Sequence, residues 1–407
     1  MKRIVICMDG TWQSLNQDDL TNIGVIARAV AHKETRPDGS FVHQTVIYAQ
    51  GVGSFTGALT KRTLLQEASY RFTRLTGGAL GEGLEDGVLD TYLRLAFDYE
   101  EGDEIFIFGF SRGAFAARRL SGLINTAGIV SRRYTHMARD GFRLYYDKPR
   151  DGAPPEKIAE HDRAARQFRM LYGKGGRNED GTRRQSDGVP PIKFLGVFDT
   201  VAQRGIGDII ASFTPWGSGH RFKFKNYRVS PNVENARHAV ALDENRVGFP
   251  VRLWDGIEED NAKLGRRAYA QRWFIGTHGD IGGGGGSEIS ALALKWMCEG
   301  ARDAGLRFYN TYGDDKSPLD EKLAEVGLCF DRKISRMSFW KAIQPINYPW
   351  RTRKLWTKRE RPSPQDLDAH LDPSVMLRVR ADYVRPRYLP SPLRPFRKAL
   401  KEWQPPA

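Results

Sequence analysis

The apolar positions of this chain fall into short continuous blocks separated by amphipathic stretches. "KRIVICMDGTW" reads as a strand running into a turn, "TNIGVIARAV" as the helix after it, and "QTVIYAQGVGS" as a second strand that ends in glycines. "LEDGVLDTYLRLAFDY" has the spacing of an amphipathic helix and leads into "EIFIFGF", residues 104–110. There Ile105, Phe106, Ile107 and Phe108 form the unbroken apolar run of a strand buried on both faces. Beyond it Ala114, Ala117, Leu120 and Ile124 recur at helical spacing, with Arg118 and Arg119 on the other side. Two later blocks, "IKFLGVFDTVA" at 192–202 and "QRWFIGTHGDIGGGGGSE" at 271–288, are apolar strands that each end on a polar residue. The neighbours of His238 in "VENARHAVALDENR" suggest a helix. Strands alternating with helices predict an α/β fold, a mostly parallel sheet with helices on both faces that binds ligands beyond the carboxyl ends of its strands.

Two segments break this pattern. From about 130 to 190 the chain turns charged, helical and then loop-like, an insertion whose most flexible stretch is "GKGGRNEDGTRRQSDG" and which could cap a site. The last hundred residues are rich in proline and carry the basic, tryptophan-bearing "NYPWRTRKLWTKRERP", 347–362. These shifts divide the chain into a catalytic unit over 1–310 and a basic extension over 311–407 packed on it.

Composition adds bounds. With 407 residues and 40% apolar content the chain can bury a sizeable core. The first apolar stretch ends at Asp9, too short for a secretory segment, and no later run approaches a membrane span. Cys7, Cys298 and Cys329 have no paired spacing, which fits a reducing, cytoplasmic setting. A net charge of +14 favours phosphate-bearing surfaces such as anionic lipid or nucleic acid, and residues 347–362 are a candidate contact for an anionic membrane, with nucleic acid or a solvated loop packed back on the core as the alternatives. No motif that reads nucleic acid is present, so no specific nucleic-acid partner is expected.

The chemistry centres on "GFSRGAFAARRL", 109–120, where a Gly-x-Ser-x-Gly pattern sits between a strand and a helix. A tight strand-to-helix turn admits only small residues on either side of the serine and lifts its hydroxyl toward the helix N-terminus. Ser111 is therefore a candidate nucleophile, and a capping serine in a glycine-rich turn is the alternative. A nucleophile needs a histidine and an orienting carboxylate, and Asp199 and His278 close the two later strands in the order acid, then histidine. His238 competes for the base and Asp280 for the acid, although Asp280 could instead brace the glycine run 282–286. The N–H groups of Arg112 and of Gly10 or Thr11 are the expected oxyanion donors. The acidic Asp9 is awkward there and should point away or bind a cation.

The segments "MDGTW", "TNI", "GVG", "GFSRGAFAAR", "GVFDTV", "NARHAVALDENR" and "WFIGTHGDIGGG" together resemble a bacterial α/β-hydrolase domain family that includes phospholipase effectors of the type VI secretion system. The likeness runs from about residue 3 to 295 and implies an α/β-hydrolase-like fold and a lipase or phospholipase that uses Ser111, Asp199 and His278 on a lipid or ester substrate. It also implies export by a signal-peptide-independent route such as type VI secretion. Family members often carry a histidine in a C-terminal His-x-Ser-Val segment, where this chain has Asp372 in "LDPSV". On this reading neither cofactor nor metal is required. Two other readings stand beside it: a metal-dependent phosphoesterase ligated by Asp9, Asp199, His278 and Asp280, and a non-catalytic basic protein that binds acidic partners.

Overall fold

The structure is a computed structural model. It describes residues 1–10, 13–51, 79–149, 152–174, 188–201, 227–246, 249–284 and 289–309, with shorter stretches between 311 and 323, at 370–380, at 391–396 and at 400. Its centre is a sheet of β1 (Arg3–Met8), β2 (Lys33–Thr35), β3 (Phe41–Ala49), β4 (Glu104–Phe110), β5 (Ile192–Phe198), β6 (Ala236–Ala241) and β7 (Tyr269–Phe274). The order across it is β2-β3-β1-β4-β5-β6-β7, and every neighbouring pair is parallel except the edge pair β2 and β3. This is the α/β architecture that the apolar blocks predict, a mostly parallel sheet with the Ser111 strand β4 at its middle.

The unbroken apolar runs have a simple cause. Ile4, Ile6, Met8, Ile105 and Ile107 point to one face, where they meet α2 (Ala79–Asp98) and α3 (Arg112–Ala127). Val5, Cys7, Phe106, Phe108 and Phe110 point to the other, against α1 (Asn22–Ala29) and α8 (Ser290–Asp303). A strand covered on both sides has no polar alternation to show.

Two expectations are corrected. His238 lies on β6, not on a helix, because its alanine-rich segment is threaded between β5 and β7 where tertiary pairing overrides helix propensity. Arg118 and Arg119 are buried, because Tyr146 of α4 (Ala138–Asp147), which packs on α3 together with α5 (Pro155–Tyr172), covers Arg119, while Trp254 and the segments at Tyr227 and Arg252 cover Arg118. Arg119 donates to the Tyr146 hydroxyl and lies over the Phe115 ring, and Arg118 donates to the carbonyls of Arg252 and Tyr227. The described part of the 130–190 insertion thus pads the helical layer, and residues 175–187, where a cap could lie, are outside the described residues. At the other end Leu371 bridges Trp273, and Leu371, Val375, Met376 and Leu393 share a cluster with Val240, Trp273 and Ile275. Asp372 accepts from the Ser374 N–H at the start of α9 (Pro373–Arg380).

Close packing fixes the carboxyl end of β1. A Cβ on Gly113 would lie 2.1 Å from the Met8 carbonyl oxygen and 2.4 Å from that of Asp9, so α3 rests directly on the end of that strand. Asp9 itself is buried in a cage of donors: Tyr48 Oη at 2.6 Å, Thr21 Oγ1 at 2.8 Å and the Gly10 N–H at 2.7 Å. Thr21 Oγ1 also accepts from the Gly24 N–H as the cap of α1. One carboxylate therefore ties β1, β3 and α1 together.

Gly113→Ala should lower stability by about 3 kcal/mol or more, because backbone must move to make room. Denaturant titration checks this, and a loss below about 1 kcal/mol would contradict the packing. The second expectation concerns pH. Burial pushes the Asp9 carboxyl above its ordinary range against the lowering effect of the Tyr48 and Thr21 hydroxyls and the Gly10 N–H. Folded Asp9 thus keeps its proton to higher pH than the unfolded chain does, and this group's contribution weakens as pH rises through that interval. Removing a donor to the ionised form with Tyr48→Phe should cost about 1–3 kcal/mol at neutral pH and less in acid. Equal losses at both would show that Asp9 does not titrate as described.

Candidate active site

Ser111 stands between β4 and α3 with φ 58° and ψ −119°, one of two non-glycine residues at positive φ among the described residues. A non-glycine residue there costs about 1–3 kcal/mol and persists only where its surroundings enforce it. The enforcement is visible. The Ser111 N–H donates to the Phe198 carbonyl, and a Cβ on Gly109 would lie 2.5 Å from the Gly113 carbonyl. Both flanking positions must be glycine for the turn to close. The capping alternative is not realised, because the Ser111 hydroxyl makes no cap hydrogen bond to α3 and faces His278 instead.

His278 begins the short helix α7 (His278–Gly282), just past β7. Its Nε2 lies 2.8 Å from Ser111 Oγ, and its Nδ1 lies 2.5 Å from Asp199 Oδ2. An ionised carboxylate only accepts, so Nδ1 carries the proton and Nε2 is left to accept from the serine hydroxyl. The ring is flanked by Phe110 and Phe249, with centroids 4.8 and 5.0 Å away. Exposure falls along the line from 7% at Ser111 and 6% at His278 to none at Asp199, so a ligand meets the serine and never the carboxylate. Asp199 is the second strained residue, at φ 41°. Its Oδ1 accepts from the Ala241 N–H, which leaves Oδ2 aimed at the imidazole.

The remaining expected residues divide. Arg112 starts α3 directly after the serine, and burial pushes its guanidinium down to about 10. The Gly10 N–H is given to Asp9 Oδ1, which takes it from the oxyanion role; its alternative, Thr11, lies outside the described residues. Asp280 accepts from the N–H and hydroxyl of Thr277 through one oxygen and so braces the start of α7, while Asp199 takes the place beside His278. His238 is buried with its nitrogens engaged by Thr200 and Gln271, not by Ser111. Asp9 points into its cage of hydroxyls. Of the four ligands of the metal reading, Asp199 and His278 pair with each other while Asp9 and Asp280 bond elsewhere, and among the described residues no group of three or more His, Cys, Asp or Glu has the geometry of a metal site. That arrangement overturns the phosphoesterase ligand set. Residues 347–362 lie outside the described residues, and among those described no helix is long and apolar enough to cross a membrane.

Several supporting residues carry no local sequence signal. Asp243 Oδ2 accepts from the Gly276 N–H, and the buried Glu244 accepts from the His278 N–H at 3.3 Å while paired with Arg246. Arg246 in turn stacks 3.7 Å from the centroid of Phe249. Asn22 donates to the carbonyls of Ile281 and Ser290, and Gly283 at φ 75° bridges Thr21. The segments "TNI" and "ALDENR" contain these residues, but their partners lie far along the chain.

Comparison with known proteins follows the same lines. Residues 2–300 match the family described as the type VI secretion, Tle1-like phospholipase effector catalytic domain. An uncharacterized protein of Saccharomyces cerevisiae is 28% identical over 251 residues, 61% of this chain and 32% of that protein. Two solved structures are similar. A Tle1 effector bound to the VgrG spike of the type VI system has 18% identity and a TM-score of 0.37, over 69% of this chain and 51% of that one. An uncharacterized protein from Pseudomonas aeruginosa has 15% identity and a TM-score of 0.36, over 100% and 60%. The chain thus spans about a third of the yeast relative and between half and two thirds of the two solved chains. With its match running from residue 2 to residue 300, the chain belongs to the family of Tle1-like phospholipase effector catalytic domains.

Proposed function

We propose that the chain is a serine hydrolase that cleaves the carboxylic esters of acyl lipids, a lipase or phospholipase, through an acyl-enzyme. The observation that carries this reading is the hydrogen-bonded line from Ser111 Oγ through His278 to Asp199 at the carboxyl end of a parallel sheet. Ser111 Oγ attacks the ester carbonyl carbon while its proton passes to His278 Nε2. Negative charge then develops on the carbonyl oxygen, which the first N–H of α3, that of Arg112, is set to meet. With the Gly10 N–H given to Asp9, Thr11 is the second donor on this reading. Collapse expels the alcohol, which takes the proton from Nε2. Water then gives a proton to Nε2, attacks the acyl carbon and releases the carboxylic acid, and the serine regains its hydrogen. Asp199 stays ionised throughout, holding the Nδ1 proton and stabilising the imidazolium.

Family membership supports lipid as the substrate class and a type VI secretion route as the means of export. The charge of Arg112 one residue from the nucleophile suits a phosphate-bearing lipid, and residues 347–362 would hold the protein to an anionic membrane.

Hydrolysis of 4-nitrophenyl esters and release of fatty acid from phospholipid vesicles test the reading on the full chain. Ser111→Ala should cut turnover by at least about 10³-fold with the fold intact, and Asp199→Asn by about 10³–10⁴-fold. Undiminished turnover in Ser111→Ala contradicts the proposal. So does activity that a chelator removes and a divalent metal restores.

A further inference from the structure

His238 is a buried histidine that the proposed chemistry does not use, and its hydrogen bonds point toward the acid. Its Nε2 lies 3.1 Å from the Thr200 N–H, the residue after Asp199. Its Nδ1 lies 2.9 Å from Gln271 Oε1, an oxygen that also receives the Trp254 N–H at 2.9 Å. Both ends of this chain are main-chain N–H groups, which can only donate. Direction therefore runs one way: Trp254 N–H donates to Gln271 Oε1, which also accepts from His238 Nδ1–H, and His238 Nε2 is left to accept from Thr200 N–H. The neutral Nδ1–H tautomer is fixed from outside the ring. A doubly protonated ring would set donor against donor at Thr200.

The reason this matters is the conformation of Asp199. At φ 41° it needs its backbone held from several directions. β6 supplies them: the Ala239 carbonyl accepts from the Asp199 N–H, the Ala241 N–H donates to Asp199 Oδ1, and His238 receives the next N–H along. Arg252 N–H fixes the Thr200 carbonyl from the opposite side. Without the imidazole acceptor the Thr200 N–H is a buried donor with no partner, and rotation between Asp199 and Thr200 relieves it. That rotation carries Oδ2 away from His278 Nδ1.

We propose that His238 is a positioning residue that acts through the Thr200 N–H to hold Asp199 against His278. The inference rests on the reading of Ser111, His278 and Asp199 given above. Two variants separate its atoms. In His238→Gln the side-chain oxygen can take the place of Nε2, whereas His238→Asn reaches only as far as Nδ1 and leaves Thr200 unpaired. The far-downfield proton resonance of His278 Nδ1–H, identified by its loss in His278→Ala, reads the Asp199 contact without any turnover.

In wild-type protein that resonance should be present; in His238→Asn it should move upfield or vanish, and in His238→Gln it should remain. Ester kinetics should show kcat lowered about ten- to a hundred-fold in His238→Asn at unchanged KM, with most of the loss recovered in His238→Gln. Gln271→Leu, which frees the tautomer from the far end, should move resonance and kcat in the same direction if His238→Asn does not fold. Unchanged resonance and kcat in His238→Asn overturn the inference. Equal losses in the Asn and Gln variants that track their melting temperatures do so as well. A wild-type protein that shows the resonance but hydrolyses no ester would overturn the proposed function, while the shift of the resonance in the variants would still decide the role of His238.

Discussion

The contact between Gly113 and the carbonyl oxygens of Met8 and Asp9 is the constraint from which the site follows. It brings α3 down onto the end of β1, and the chain must then turn from β4 into that helix within one residue. Ser111 absorbs the turn at φ 58°, and its hydroxyl faces His278. Any side chain at 109 or 113 would push the helix away. The serine would then relax to an ordinary conformation, and its geometry toward His278 would be lost.

The same economy appears at Asp199. Two neighbouring strands end in a strained residue apiece, and in each case the strain is held by the backbone of the next strand: Ser111 by Phe198 of β5, and Asp199 by Ala239 and Ala241 of β6. The sheet passes positional accuracy sideways from strand to strand. Buried charge is treated differently. Asp9, Glu244 and Asp280 each spend their oxygens on protein donors that tie neighbouring segments together, and so contribute shape at the site rather than ligands for an ion.

The strands at the centre of the fold were legible in the sequence because burial on both faces leaves unbroken apolar runs. The meeting of Ser111, Asp199 and His278 at one end of the sheet was legible because each follows such a run. The segment around His238 was not, since alanine-rich sequence reads as helix unless its neighbours in the sheet are known. Arg118 and Arg119 gave no sign of burial, because what covers them, Tyr146 for Arg119 and the segments at Tyr227 and Arg252 for Arg118, comes later in the chain. The cage around Asp9 was out of reach for the same reason: Thr21 and Tyr48 lie 12 and 39 residues away, and only the fold brings them to the carboxylate. Local pattern reports which residues end strands. It cannot report which distant polar groups meet them.

The central claim is that the turn and the His278–Asp199 pair make Ser111 the one activated serine of the chain. Mass spectrometry of the full-length protein after brief exposure to a fluorophosphonate, followed by peptide mapping, tests it most directly. A single phosphonyl group on Ser111 in native protein, and none after denaturation, is the predicted result. Modification at another serine, or equal modification before and after denaturation, would contradict the account.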